Sequence, residues 1–80
     1  MSDKKSIDVF VHELHGIFKV KVYDGSGQID NIKIPLEPNF QSLLYYLKGL
    51  EREYKQFKMK YSLSIGKEEE FWKGYNKWIL

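Results

Sequence analysis

Two stretches of the sequence alternate apolar and polar residues with a period of two, and this feature limits the possible folds more than any other. In residues 18–22 and 57–65 an apolar side chain stands at every second position, with lysine or serine between them. Successive side chains of a β-strand point to opposite faces, so the pattern predicts strands with one buried and one solvated face. The sheet should therefore be covered on one side only.

Four strands are predicted, at residues 7–14, 17–23, around 32–36, and 56–65. Short glycine-containing turns join the first three, which favours an antiparallel meander. Pro35 lies within the third pattern, and proline in a strand is typical of a sheet edge or a strand end.

From residue 40 onward the apolar period becomes helical. Asn39 follows Pro38 and is predicted to cap a helix that continues to about Tyr54, across Gly49. Its apolar positions fall on one stripe that should pack against the sheet. They are Phe40, Leu43, Leu44, Leu47, Leu50 and Tyr54.

A second amphipathic helix is predicted over residues 67–80. Three acidic residues at positions 68–70 complement the positive end of its dipole. One face is aromatic and apolar, and the opposite face carries lysine and asparagine. The apolar face consists of Phe71, Trp72, Tyr75, Trp78 and Ile79.

These elements predict one α+β domain spanning residues 1–80, with a flexible N-terminus at residues 1–6. We expect a four-stranded, mainly antiparallel sheet, the element order β-β-β-α-β-α, and both helices packed on one face. A domain of this size buries only about 60–65% of its unfolded surface, so the core has to be efficient. The chain has no cysteine, so disulfides and thiolate metal sites cannot supplement that core.

Composition indicates a soluble cytoplasmic protein. The polar N-terminus lacks the apolar run of a signal peptide, and no apolar stretch approaches the roughly 20 residues needed to span a bilayer. The formal net charge of +2 is too small to indicate a polyanionic partner by itself. Arg52 is the single arginine, which disfavours bidentate recognition of bases or phosphates.

No catalytic, metal or cofactor motif is evident. His12, Glu13 and His15 do not have His-Glu-x-x-His spacing, and the segment is predicted to be strand and turn. The glycine-rich loop at residues 25–27 lacks the Gly-Lys-Ser/Thr continuation of a phosphate-binding loop. We therefore expect a protein that is not an enzyme and that binds neither metal nor cofactor.

The first functional hypothesis is a small protein-binding domain that inhibits or adapts a larger protein. Inhibitors encoded by phages or mobile elements, immunity proteins and assembly adaptors all fit a small domain of this kind. Tyr45 and Tyr46 fall outside the leucine stripe of the first helix, and Phe10 and Tyr23 belong to the open face of the sheet. Tyrosine and other aromatic residues are enriched at protein interfaces, so these four are the candidate contacts.

The alternative hypothesis is a nucleic-acid-binding module. Lysines on the open face could neutralise phosphates while bases stack on aromatic rings, although Asp8 is expected on the same face. A homodimer formed by edge pairing or through the open faces is a third hypothesis. The candidate lysines are Lys19, Lys21, Lys33, Lys58 and Lys60.

Overall fold

The computed structural model describes residues 5–77, which form four strands and two helices in the predicted order. Ser6, within the N-terminal segment expected to be flexible, is the first residue of β1, and residues 1–4 lie outside the described part of the chain. Trp78 and Ile79, expected on the last helix, also lie outside it. The elements are β1 (Ser6–Leu14), β2 (Ile17–Asp24), β3 (Gly27–Pro35), α1 (Gln41–Glu53), β4 (Lys58–Ser64) and α2 (Glu68–Lys77).

The four strands form one mixed sheet in the order β3-β2-β1-β4. The predicted meander is confirmed, since β1 pairs antiparallel with β2, and β2 pairs antiparallel with β3. In contrast, β4 runs parallel to β1, because α1 carries the chain across the sheet between β3 and β4. The α+β class and the mainly antiparallel sheet are therefore as predicted. Pro35 is the last residue of the edge strand β3, as its ring requires.

Two tight turns fix the register of the meander. His15 and Gly16 have φ values of 51° and 78°, the left-handed conformations that match a two-residue hairpin to the twist of its strands. At the second turn Asp24 Oδ1 accepts hydrogen bonds from the backbone N–H groups of Ser26 (2.7 Å) and Gly27 (3.1 Å). A β-bulge follows, because Tyr23 pairs with Gln28 while Val22 pairs with Asp30.

The core lies between the sheet and the two helices. Phe40 stands at its centre, with ring centroids 5.7 Å from those of both Phe18 on β2 and Phe71 on α2. Phe71 is fully buried, so α2 packs on the same face of the sheet as α1. The predicted packing of both helices on one face of the sheet is therefore confirmed. The buried residues are Ile7, Val9, Val11, Phe18, Val20, Val22, Ile34, Phe40, Leu43, Leu44, Leu47, Leu50 and Phe71.

The predicted cap of α1 by Asn39 is wrong. Phe40 is the N-cap residue, with a left-handed φ of 55° and no side-chain capping bond of its own. Burial of the Phe40 ring sets where the helix begins, and Glu37 takes over the capping: its Oε1 accepts from the backbone N–H of Ser42 at 2.9 Å. This hydrogen bond lowers the pKa of Glu37.

The rest of α1 follows the sequence pattern. Gly49 lies on the exposed side within α1, and the helix continues through it to Glu53, with Tyr54 as its C-cap. Neither of the two helices within residues 5–77 is long and apolar enough to cross a membrane.

Candidate binding surface

Within residues 5–77 one face of the sheet carries no helix, because α1 and α2 both pack on the other. We call it the open face. Strand register aligns its side chains in three rows across β3, β2, β1 and β4. The first row is Gln28, Tyr23, Asp8 and Lys60, the second is Asn31, Lys21, Phe10 and Ser62, and the third is Lys33, Lys19, His12 and Ser64.

The register therefore brings together most of the residues singled out from the sequence. Phe10, Tyr23 and the candidate lysines share the open face, and Lys58 extends it at the start of β4, opposite Ser6. Tyr45 and Tyr46 lie elsewhere, on α1.

An aromatic pair occupies the middle of the open face. The rings of Phe10 and Tyr23 meet edge to face, with centroids 5.6 Å apart and planes at 79°. They belong to adjacent rows, a diagonal relation that aromatic side chains can span. Phe10 remains 37% exposed although it sits on an inner strand of the sheet. The pair thus presents apolar surface to solvent where no other element of residues 5–77 covers it.

Positive charge surrounds the aromatic pair. Lys19 and Lys33 stand directly opposite each other on β2 and β3, an arrangement that destabilises a sheet, and His12 faces Lys19 from β1. Within residues 5–77 the ion pairs join Lys48 to Glu51 and Lys67 to Glu70, so the open-face lysines there are not neutralised by a salt bridge. Asp8 is the one acidic side chain that strand register assigns to this face in the described chain.

An apolar row at one end of the open face could not be assembled from the sequence. Leu14, Ile17 and Pro35 are in register across β1, β2 and β3, and Leu14 is 45% exposed. The alternation along β1 predicts that Leu14 shares this face with Phe10. The contributions of Ile17 and Pro35 follow only from the strand pairing.

The two adjacent tyrosines of α1 have different environments. Tyr45 is 73% exposed, whereas the hydroxyl of the half-buried Tyr46 donates a hydrogen bond to Asp30 Oδ2 on β3. Burial, together with the hydrogen bond to Asp30, raises the pKa of Tyr46. Both tyrosines line a surface groove of about 650 Å³ that also includes Arg52. Tyr46 thus fastens α1 to β3, and Tyr45 presents its ring to the surroundings.

A half-buried carboxylate, missed from the sequence, links three elements on the covered side. Glu51 Oε2 on α1 accepts hydrogen bonds from the hydroxyls of Tyr61 on β4 and Tyr75 on α2. Its Oε1 lies 3.5 Å from Lys48 Nζ, which sits 3.6 Å from the centroid of the Tyr75 ring. Burial first, and then the bonds to Glu51, raise the pKa of Tyr61 and that of Tyr75, the latter to about 12. The cluster therefore holds α1, β4 and α2 together.

Neither histidine belongs to a cluster of metal-ligating side chains within residues 5–77. His12 lies on the open face in register with Lys19 and Ser64, and His15 forms the first hairpin turn. Within residues 5–77 no three histidine or carboxylate side chains gather into a group able to hold a metal ion.

The chain matches no family model, and no curated protein or solved structure is significantly similar to it. Its fold and surfaces therefore carry the functional argument without help from relatives.

Proposed function

We propose that this protein is a small non-catalytic binding domain that acts in the cytoplasm as an inhibitor or adaptor of a larger protein. The observation that supports the proposal is the contacting pair Phe10 and Tyr23, exposed on a helix-free sheet face and surrounded by lysines that lack ion-pair partners within residues 5–77. A chain that used this face only for solvation would need neither the exposed ring nor the opposed lysines.

The partner surface should be apolar at its centre and acidic around it. Buried aromatic side chains supply much of the energy of protein interfaces, so Phe10 and Tyr23 would be the anchors. Lysines at the rim would steer an acidic surface into place and increase the association rate more than the affinity. The apolar row of Leu14, Ile17 and Pro35 would extend the contact toward one end of the sheet.

The α1 tyrosines form a second, smaller candidate contact. Tyr45 is 73% exposed and could meet a partner directly. Tyr46 already donates its hydroxyl to Asp30, so it would act by positioning α1 and by the exposed part of its ring. The open face offers more neighbouring candidates on one rigid element, and we rank it first.

A nucleic-acid-binding function is the second candidate, favoured by one observation. Lys19 and Lys33 are placed opposite each other at a cost in stability, and a phosphate between them would relieve that repulsion. The exposed ring of Phe10 could stack on an unpaired base. Asp8, within the same face, opposes this function.

The test combines capture of partners with an oligonucleotide titration. Immobilised wild-type protein is compared with the open-face variant Phe10→Ser/Tyr23→Ser, and proteins recovered from cell extract are quantified. Tyr45→Ser serves as the control, because it removes an exposed aromatic ring from a different surface. In parallel, the anisotropy of a labelled single-stranded oligonucleotide is measured at about 50 and 200 mM salt.

The proposal predicts a larger protein that wild type and Tyr45→Ser retain and that the open-face variant loses. If the open-face variant retains the partner protein and Tyr45→Ser loses it, the binding surface would lie on α1 instead. Oligonucleotide binding that falls steeply with salt, and that Lys19→Glu/Lys33→Glu abolishes while Lys73→Glu/Lys77→Glu on α2 does not, would establish the second candidate instead.

A further inference from the structure

The two edges of the sheet differ in how well they are protected against pairing with another strand. The β3 edge contains a bulge beside Asp30 and ends in Pro35, and both features interrupt regular hydrogen bonding. The β4 edge has neither, since its register with β1 runs unbroken from Lys58 to Ser64. The protection left on β4 is the charge of Lys58 and Lys60, so a strand that places no like charge opposite them can still add to this edge.

The outward backbone groups of β4 can be assigned from one hydrogen bond. The N–H of Lys58 donates to the carbonyl of Lys5 at 2.9 Å, so the backbone of Lys58 faces β1. Because backbone polar groups alternate in direction along a strand, those of Met59, Tyr61 and Leu63 point away from the sheet. Among residues 5–77, no loop, helix or side chain hydrogen-bonds to these outward groups.

The core is also incomplete at this edge. The β1 residues Ile7, Val9 and Val11 are 0% exposed, whereas their register partners Met59, Tyr61 and Leu63 on β4 are only partly buried. The covered side of the sheet therefore exposes apolar surface beside backbone groups that nothing else in residues 5–77 pairs with. A strand added to β4 would cover both.

We propose that the occupant of the β4 edge is a second copy of this chain, paired antiparallel across a two-fold axis at Tyr61. This register brings outward groups opposite outward groups and allows about six backbone hydrogen bonds. It also uses every residue of β4. The opposing pairs are Lys58 with Ser64, Met59 with Leu63, Lys60 with Ser62, and Tyr61 with its own counterpart.

The distribution of charge along β4 suits pairing with a second copy and distinguishes this register from the others. Both lysines of the strand lie in its first half and both serines in its second, so antiparallel pairing places each lysine opposite a serine. A parallel arrangement in register would place Lys58 and Lys60 opposite the same lysines of the second copy. An antiparallel arrangement with its axis at Lys60 would place Lys60 opposite Lys60 of the second copy. Like charges directly opposite destabilise a sheet.

The consequence is a continuous eight-stranded sheet in which the two open faces lie side by side. A dimer of this form doubles the number of Phe10–Tyr23 pairs without covering them, because both residues lie on strands other than β4. Dimerisation uses the β4 edge and not the open face, so it does not depend on whether a larger protein binds to that face.

The test uses substitutions at Ser62, whose side chain is exposed on the open face and makes no core contact. Sedimentation velocity at protein concentrations up to about 0.5 mM gives the dimer dissociation constant of each variant. Ser62→Lys places a lysine opposite Lys60 twice per dimer and should weaken dimerisation about tenfold. Ser62→Glu creates two opposite-charge pairs and should strengthen it severalfold.

The double variant Lys60→Glu/Ser62→Lys should restore dimerisation, because each new lysine then faces a glutamate. Ser26→Lys in the β2–β3 turn is the matched control and should have no effect. Circular dichroism confirms that each variant is folded. A wild-type protein that stays monomeric over the whole range would overturn the inference, as would a dimer that responds equally to Ser62→Lys and Ser62→Glu.

Discussion

The two faces of the sheet are built from the same strands, yet they obey different rules. On the covered face Val20 of β2 is 0% exposed and pairs with Ile32 of β3, next to the buried pair Phe18 and Ile34. One residue away on the open face, Lys19 stands opposite Lys33. The covered face is arranged for stability, whereas the open face accepts like-charge repulsion.

This difference is what makes the open face a candidate for function. Burial of apolar side chains explains the covered face without any reference to a partner. Nothing in the folding of the monomer explains why two lysines oppose each other beside an exposed phenylalanine ring. A partner that supplies negative charge and apolar surface would account for both.

The largest expected effect is on the covered face. Phe71→Ala removes a ring that is 0% exposed and that contacts Phe40, and it should lower the free energy of unfolding by about 3–5 kcal/mol. The matched change on the open face, Phe10→Ala, should cost only about 1 kcal/mol, because that ring is 37% exposed and packs mainly on Tyr23. Urea denaturation measures both, and equal losses would remove the contrast between the faces.

The next effect concerns the cluster that links the helices to β4. Glu51→Ala leaves the hydroxyls of Tyr61 and Tyr75 without their acceptor and should destabilise the fold by about 1–3 kcal/mol. Glu51→Gln keeps an acceptor oxygen of similar size and should lose less. If the two variants were equally stable by thermal denaturation, the hydrogen bonds would contribute nothing.

The same cluster predicts a loss of stability in alkali. The pKa of Tyr75 is raised to about 12 in the folded protein, chiefly by burial, whereas tyrosine in an unfolded chain titrates near about 10. As the pH rises, the unfolded state therefore releases its proton first. The stability linked to Tyr75 should be complete below about pH 10 and should decline as the pH approaches about 12. Urea midpoints measured across this range should fall less steeply in Tyr75→Phe.

The smallest expected effect on stability tests most directly whether the open face is arranged for binding. Lys33→Glu turns a like-charge pair with Lys19 into an opposite-charge pair and should raise the free energy of unfolding by about 0.2–1 kcal/mol. Lys77→Glu, four residues after Lys73 on α2, is the control for the change in net charge. Gaining stability while losing the bound partner would mark Lys33 as a residue kept for binding. Destabilisation by Lys33→Glu, with Lys77→Glu neutral, would refute the repulsion.

The local pattern of apolar and polar residues was enough to predict most of the fold. The alternation in β4 and the leucine spacing of α1 predicted both elements and their buried sides, because each periodicity matches the geometry of its own backbone. The parallel pairing of β4 with β1 was not predictable, since it depends on where α1 returns the chain. The displaced cap of α1 has a similar cause: burial of Phe40 in the tertiary core overrode the local preference for Asn39.

Part of the open face could also be predicted from the local sequence pattern. Period two assigned Phe10 and Lys19 to one face, but the opposition of Lys19 and Lys33 required the register fixed by the turns. The cluster around Glu51 could not be predicted from the sequence, because its members come from α1, β4 and α2 and share no local pattern.

The claim that the open face is the binding surface can be tested by photo-crosslinking. A benzophenone amino acid is placed at Phe10 in one preparation and at Tyr45 in another, and each is irradiated in cell extract. If the open face is the binding surface, the Phe10 position should crosslink to a larger protein. Lys33→Glu should greatly reduce the yield of this crosslinked product, and the Tyr45 position should not form it. Crosslinking from Tyr45 alone, or a Phe10 product indifferent to Lys33→Glu, would contradict it.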